Sequence, residues 1–270
     1  MRPEPGREGR AVKDNRMRQM IDAGRVPVGT VVFEFATPGI ARLANEAGAD
    51  FMMLDMEHSG FTFETVKSVI ATARSVPIAV MVRVPGATYE YVAKALDVGA
   101  QAVSVPMVES RAQAELVAQA ARYAPEGRRG TGFGIAHDDY SGGDVVAKMK
   151  AANRNVVATV IIETVKGVEN APLIASTPGI DIVWIGQFDL TASQGIAGKF
   201  DDPKYLQAVD TVMQACRASK KVCGIMVPDP RDTQKILKQG FRALMYSSDT
   251  WLYKQTLADG IAAIRKHADA

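Results

Sequence analysis

The sequence predicts an α/β fold, a closed (β/α)8 barrel, and three observations carry that prediction. Eight short apolar runs alternate with amphipathic helical patterns from residue 28 onward, the signature of parallel β/α units. The runs are continuous in Val, Ile, Met and Ala instead of strictly alternating, as strands covered by helices outside and packed together inside require. A chain of 270 residues, 47% of them hydrophobic, matches one such barrel and can bury a large core.

The elements follow in order. The stretch MRPEPGREGR is polar and carries two prolines, so residues 1–12 are expected to be a mobile arm and residues 13–270 one barrel domain. A short basic helix is expected over residues 12–23. Candidate strands are VGTVVFEF (28–35), DFMMLDM (50–56), IAVMVRV (78–84), AVSVPM (102–107), VVATVIIE (156–163), DIVWIGQ (181–187), KVCGIMV (221–227) and FRALMYS (241–247). Helical patterns lie between them, among them ETVKSVIATARS (64–75), YEYVAKALDVGA (89–100), RAQAELVAQAARY (111–123) and PRDTQKILKQG (230–240). Several reach a glycine before the next strand, as helix C-termini commonly do. One connection is long and glycine-rich, residues 124–141. Such a segment is either a functional loop or a surface insertion.

Composition excludes several classes. The 32 basic and 30 acidic residues give a net charge of +2 and are spread along the chain. No basic stripe points to nucleic acid. Cys216 and Cys223 form no CxxC pair and have no nearby histidines, so they read as small core residues in a reducing compartment. No stretch approaches the roughly 20 apolar residues of a membrane span. A soluble, cytoplasmic protein is expected.

In a barrel of this kind the chemistry lies at the C-terminal ends of the strands. The polar residues there are Asp55, Glu57 and His58 after the second run, Arg83 after the third and Glu163 after the fifth. Asp189 follows the sixth through Gly186. Two carboxylates from adjacent strands, with no cysteine, make a hard oxygen set suited to Mg2+ or Mn2+. Each residue has a plainer reading. Glu163 and Asp189 can be helix N-caps or first-turn helix acids, which stabilise a helix by about 0.5–2 kcal/mol. His58 can be a hydrogen-bonded structural histidine, and Arg83 an ion-pair partner. A Schiff-base mechanism needs a lysine inside the barrel. Lys221 stands at the wrong end of its strand and Lys166 beyond Glu163.

Several separate blocks resemble one family. LDMEH (54–58), VRVPG (82–86), LDVGAQAVSVPMVES (96–110), RYAPEGRRGTG (122–132), IIET (161–164), GIDIVWIGQFDLTASQGI (179–196) and SSDTWLY (247–253) are similar to the HpcH/HpaI family of metal-dependent pyruvate aldolases, over residues 20–258. The resemblance implies a phosphoenolpyruvate/pyruvate-type barrel with Glu163 and Asp189 as ligands of Mg2+, Mn2+ or Co2+. It implies His58, supported by Asp55, as the proton-transfer residue, and Arg83 as the residue holding the oxygen of the pyruvate moiety. Gly186, Phe188, Asp189 and Met226 would line the substrate, and Asp97 would approach a neighbouring subunit's site. A homo-hexamer with exchanged C-terminal helices is also implied, and WLYKQTLADGIAAIRKHA (251–268) has the amphipathic pattern for it. The chain departs from the family at Ile161, where many relatives carry Gln, and at Gln187 and Phe188, where a Pro-Ala or Pro-Ser pair is common. It departs also at Met56 and Ser248.

The chemistry so implied is cleavage or formation of the C3–C4 bond of a 4-hydroxy-2-oxo acid, giving pyruvate or a close 2-oxo acid and an aldehyde. The same enolate chemistry also serves lyases of malyl or citramalyl thioesters. A barrel that has lost activity and acts as a binding subunit is the non-enzyme alternative.

Overall fold

Each apolar run becomes a strand of four to six residues: β1 Val28–Val32, β2 Phe51–Asp55, β3 Ala79–Arg83, β4 Ala102–Val105, β5 Val157–Ile162, β6 Ile182–Ile185, β7 Val222–Val227 and β8 Ala243–Ser248. They pair in parallel in sequence order, and β8 closes on β1. The (β/α)8 barrel is therefore present in this computed structural model, which describes residues 13–268. The expected arm, 1–12, lies outside the described residues.

The helices are α1 Arg16–Asp22, α2 Ile40–Glu46, α3 Phe63–Ala73, α4 Tyr89–Asp97, α5 Arg111–Ala121, α6 Val145–Asn155, α7 Val165–Glu169, α8 Ala171–Ala175, α9 Gln187–Ser193, α10 Pro203–Ala218, α11 Thr233–Gln239 and α12 Asp249–Ala268. Thr62, Thr88, Ser110 and Asp144 each accept a backbone N–H at the start of a helix, supplying acceptors to otherwise orphaned donors. No helix of the described residues is long and apolar enough to cross a membrane.

Several boundaries differ from the sequence expectation for physical reasons. The first run stops at Val32 because the Asp249 carboxylate takes the N–H groups of Phe33, Glu34 and Phe35, at 2.9, 2.9 and 2.7 Å. Those donors are then lost to the sheet. The sixth run ends at Ile185, since Gly186 caps α9 and Gln187 is already helical. The eighth is shifted to 243–248. The helix expected over 12–23 spans Arg16–Asp22, where the Asn15 side chain accepts from Met17 and Arg18.

Strand periodicity separates two cores. One face of the strands packs against the helices; Leu54, Val82, Val103, Val160 and Val183 belong to that layer. The other face fills the barrel with Phe51, Met53, Met81, Ile161, Trp184 and Met245. Gly224 makes room for the Trp184 ring, with which a Cβ there would collide. Below, α1 closes the barrel. Met17 is fully buried in the inner core, while Arg16 pairs with Asp50 and Arg18 with Asp181, both at 2.6 Å.

The covering of β1 and β8 is different. The last helix, α12, has no buried residue. It presents Tyr253, Leu257, Ile261 and Ile264 to the outside, a spacing of three to four that makes one apolar stripe. The outer face of the barrel at Val28 and Tyr246, and Leu43 of α2 beside it, are correspondingly exposed. A groove lined by Val28, Val32, Ile40, Leu43, Tyr246 and Leu252 runs along it.

Candidate active site

The period of two that fills the barrel also builds its mouth. Residues 51, 53 and 55 face inward on β2, as do 79, 81 and 83 on β3, so the apolar interior gives way to Asp55 and Arg83 at the top. The same alternation carries β4 to Ser104, β5 to Glu163 and β6 to Gly186. A cavity of about 200 Å3 lies above this layer, lined by His58, Arg83, Glu163, Gly186, Phe188, Asp189 and Met226 among others. Seven of the nine residues expected at the site thus line one cavity, and Asp55 lies beneath it.

Asp55 and Arg83 stand opposite one another in the β2–β3 register. Asp55 is fully buried and accepts from Arg83 Nε at 3.1 Å and from Nη2 in a two-point ion pair. Its Oδ1 also accepts the backbone N–H of Glu57 at 2.8 Å and of His58 at 3.3 Å. Asp55 therefore supports His58 through the backbone. The His58 ring is half-exposed at the cavity rim, with Nε2 3.7 Å from Glu57 Oε2. Glu57, not assigned a role from sequence, has a carboxylate 3.3 Å from Arg83 Nε, and its Oε2 is buried without a hydrogen-bond partner.

Glu163 is 3% exposed. Gly186 is glycine because a Cβ would strike Glu163 Oε2. The Met107 N–H donates to Glu163 Oε1 at 2.6 Å, an orientation reached with Met107 at φ +54°. A non-glycine residue in that left-handed region is strained. Neither acid is a helix N-cap: Thr164 caps α7, and Asp189 lies in the first turn of α9, whose start has no side-chain cap.

The electrostatics follow from four carboxylates around one guanidinium. Burial pushes the Glu163 carboxyl up to about 7; the neighbouring Glu57 and Asp189 raise it further, against the Met107 N–H and Arg83. Burial likewise raises Glu57, with Asp55 and Asp189 adding to it and Arg83 and His58 opposing. Burial lowers the Arg83 pKa, but Asp55, Glu57 and Glu163 outweigh it and the net shift is upward. Arg83 is thus a permanent cation committed to Asp55 and Glu57, leaving Glu163 and Asp189 short of positive charge. The described residues contain no group of three or more His, Cys, Asp or Glu arranged to hold a metal. The donor set is a two-carboxylate one, and it fits a hard divalent cation that keeps its remaining positions for other oxygens. The like-charge stress on Glu163 is what such a cation relieves.

The other residues singled out from sequence lie elsewhere. Asp97, at the end of α4, pairs with Arg129 at 2.7 Å and does not line its own chain's cavity. No residue of 124–141 lines it either. That segment packs along α4, where Gly130 N–H reaches Tyr89, and it is tied by the buried pair Lys148–Asp138 and by His137 to Gly132. A cavity of about 40 Å3 beside it, lined by Lys13, Arg74 and His137, is far smaller than the one at the mouth. No lysine lines the mouth cavity: Lys166 pairs with Glu109, and Lys221 bonds Ile180 O at the start of β6. Cys216 and Cys223 are buried free thiols.

Comparison with known proteins agrees with this architecture. Residues 32–255 match the model of the HpcH/HpaI aldolase/citrate lyase family. A 4-hydroxy-2-oxovalerate aldolase of Novosphingobium aromaticivorans is 31% identical over 95% of this chain and 97% of its own length. A hydroxypyruvate/pyruvate aldolase of Delftia acidovorans is 32% identical over 86% of each chain. The crystal structure of an HpcH/HpaI aldolase from Desulfitobacterium hafniense superposes with a TM-score of 0.88 at 28% identity, over 92% of this chain and 96% of that one. The chain belongs to the HpcH/HpaI aldolase/citrate lyase family.

Proposed function

We propose that this protein is a divalent-cation-dependent lyase that makes or breaks the C3–C4 bond between pyruvate, or a close 2-oxo acid, and an aldehyde. The observation that carries the reading is the placement, at one cavity, of Arg83 with its buried partner Asp55 beside the charge-stressed Glu163 and beside Asp189. The aldolase names of its relatives support it.

Glu163 and Asp189 are the residues that would hold the cation, Mg2+, Mn2+ or Co2+, which when bound supplies positive charge to the 2-oxo acid oxygens. The uncapped first-turn N–H groups of α9, beyond Gly186, offer donors to the substrate carboxylate. Among the described residues none accepts from Arg83 Nη1, so that side of the guanidinium is available to the keto oxygen. In the cleavage direction His58 takes the proton of the C4 hydroxyl. The C3–C4 electron pair becomes the C2=C3 bond of the enolate, the C4 oxygen becomes the aldehyde carbonyl, and C3 then takes a proton to give pyruvate. Charge grows on the C2 oxygen during this step. Fixed donors there stabilise the transition state more than the ketone.

A second copy of the chain is the proposed macromolecular partner. The apolar stripe of α12 and the uncovered groove on β1 and β8 are complementary surfaces that one chain does not bring together. Exchange of α12 between subunits, within the expected homo-hexamer, satisfies both. In that assembly Asp97 faces a neighbour's mouth. Replacing Leu257 and Ile264 by Asp is expected to reduce the assembly to a smaller species in light scattering coupled to size exclusion. An unchanged mass would place the interface elsewhere.

Arg83→Lys keeps the charge but loses the planar fork that spans Asp55 and the keto oxygen. Retro-aldol turnover should fall by about 10^2 or more, equivalent to about 2.7 kcal/mol, while cation-induced thermal stabilisation persists. Equal loss of both would make Arg83 a support of the cation site instead.

The Glu163 carboxyl, pushed up to about 7 from 4.5, keeps its proton in the folded chain over a range where the unfolded chain has lost it. The folded state then binds more protons, so this group's contribution to stability falls as pH rises through that window. A cation must displace the same proton. Mg2+ or Mn2+ should therefore raise the melting temperature of metal-free protein more at about pH 7.5 than at about pH 5.5, and Glu163→Gln should remove the difference. A shift independent of pH would exclude Glu163 as a ligand.

A further inference from the structure

The lining of the mouth is divided by strand. Among the described residues, every ionisable group of the cavity comes from the arc β2 to α9: His58, Arg83, Glu163 and Asp189. The opposite arc, β7, β8, β1 and the first turn of α12, contributes Met226, Met245, Val31, Phe33 and Trp251. Among the carboxylates beside this arc, Asp249 is committed to three backbone N–H groups. Those bonds hold Phe33 and Phe35 in place, and Phe33 packs on Trp251 with ring centroids 6.1 Å apart. At the edge where the arcs meet, Phe188 stands edge-on to Phe200 at 5.1 Å. Phe188 and Trp251 are 58% and 48% exposed, large aromatic surfaces left facing the opening.

We propose that this β7–β8–β1 arc is the acceptor subsite and that it takes an aldehyde whose substituent is uncharged and apolar, an aryl ring or an alkyl chain. The inference rests on the aldolase reading, since the 2-oxo acid occupies the polar arc and the bond forms toward the other. Aldehydes with a distal carboxylate are disfavoured. Such a group would lose its hydration against methionines and aromatic rings, and Arg83, the only guanidinium lining the cavity among the described residues, is already held by Asp55 and Glu57. An aryl group instead covers the exposed faces of Phe33, Phe188 and Trp251. In the addition direction C3 of the enolate bonds to the aldehyde carbon, the carbonyl π pair moves to oxygen, and that oxygen takes a proton, so no co-reactant is required.

The test uses the purified enzyme with Mg2+ and pyruvate. Exchange of the pyruvate methyl protons with D2O, without aldehyde, is measured first, followed by kcat/KM for benzaldehyde, 3-methylbutanal, succinic semialdehyde and glyoxylate. The expected result is exchange, with both apolar aldehydes ahead of both acids by about tenfold or more. Trp251→Ala should lower the benzaldehyde value about tenfold relative to that of succinic semialdehyde. Exchange with the acids preferred overturns the apolar subsite and leaves the aldolase reading standing. An apolar preference that Trp251→Ala does not alter overturns the placement of the subsite. Absence of exchange overturns the aldolase reading, and the subsite with it.

Discussion

The ion pair between Asp55 and Arg83 is the interaction on which the rest of the mouth depends. It joins residues at matching positions of adjacent strands and is almost wholly removed from solvent. Removing one partner of such a pair leaves an uncompensated buried charge, at a cost of about 3–5 kcal/mol. Asp55 does more than balance Arg83. By holding the Glu57 and His58 backbone N–H groups, it turns the chain after β2 so that the His58 ring reaches the rim and the Glu57 carboxylate stays inside. Arg83 is thereby fixed within reach of Glu57, and its charge is spent on that side. Glu163, beside Asp189, is left with little of that charge, and the cation proposed for these two carboxylates would compensate for the commitment of the guanidinium to Asp55 and Glu57.

The same barrel separates chemistry from assembly. Along each strand the inner positions build the cavity and the outer positions pack on helices, and on most strands the outer layer is complete. At β1 and β8 it is not, because α12 leaves the barrel from its first turn. That turn nevertheless supplies Asp249 and Trp251 to the chain's own mouth. One element thus contributes a wall of the cavity at its beginning and an unpartnered apolar stripe over the rest of its length.

Much of this was legible in the sequence. Eight apolar runs correspond to eight strands, and a period of two on a barrel strand explains why the polar residues at the strand ends include Asp55, Arg83 and Glu163; His58, three residues past β2, reaches the mouth through the turn held by Asp55. Asp189 and Phe188 are reached through Gly186, although the apolar run extends the strand to Gln187, the first residue of the helix that carries them. Glu57 was seen at its strand end but not assigned, since its burial without a hydrogen-bond partner depends on how Asp55 bends the chain. The left-handed Met107 and its hydrogen bond to Glu163 carry no sequence signal, as methionine has no preference for that conformation. Phe33 and Trp251 lie more than two hundred positions apart, and only the closure of β8 on β1 makes them neighbours. The glycine-rich segment 124–141 carries no periodicity that tells a functional loop from an insertion; in its own chain it is a flank of α4, held by Arg129, Asp138 and His137.

In the proposed reaction Glu163 and Asp189 would hold a divalent cation whose charge, with that of Arg83, would stabilise the enolate of a 2-oxo acid independently of any aldehyde. The most direct test follows the pyruvate methyl signal by proton NMR in D2O while the wild-type protein is stripped with EDTA and then titrated with Mg2+. Exchange is expected to be absent in EDTA and to rise and saturate as Mg2+ is restored. Exchange that continues unchanged in EDTA, or that never appears with the cation bound, would contradict it.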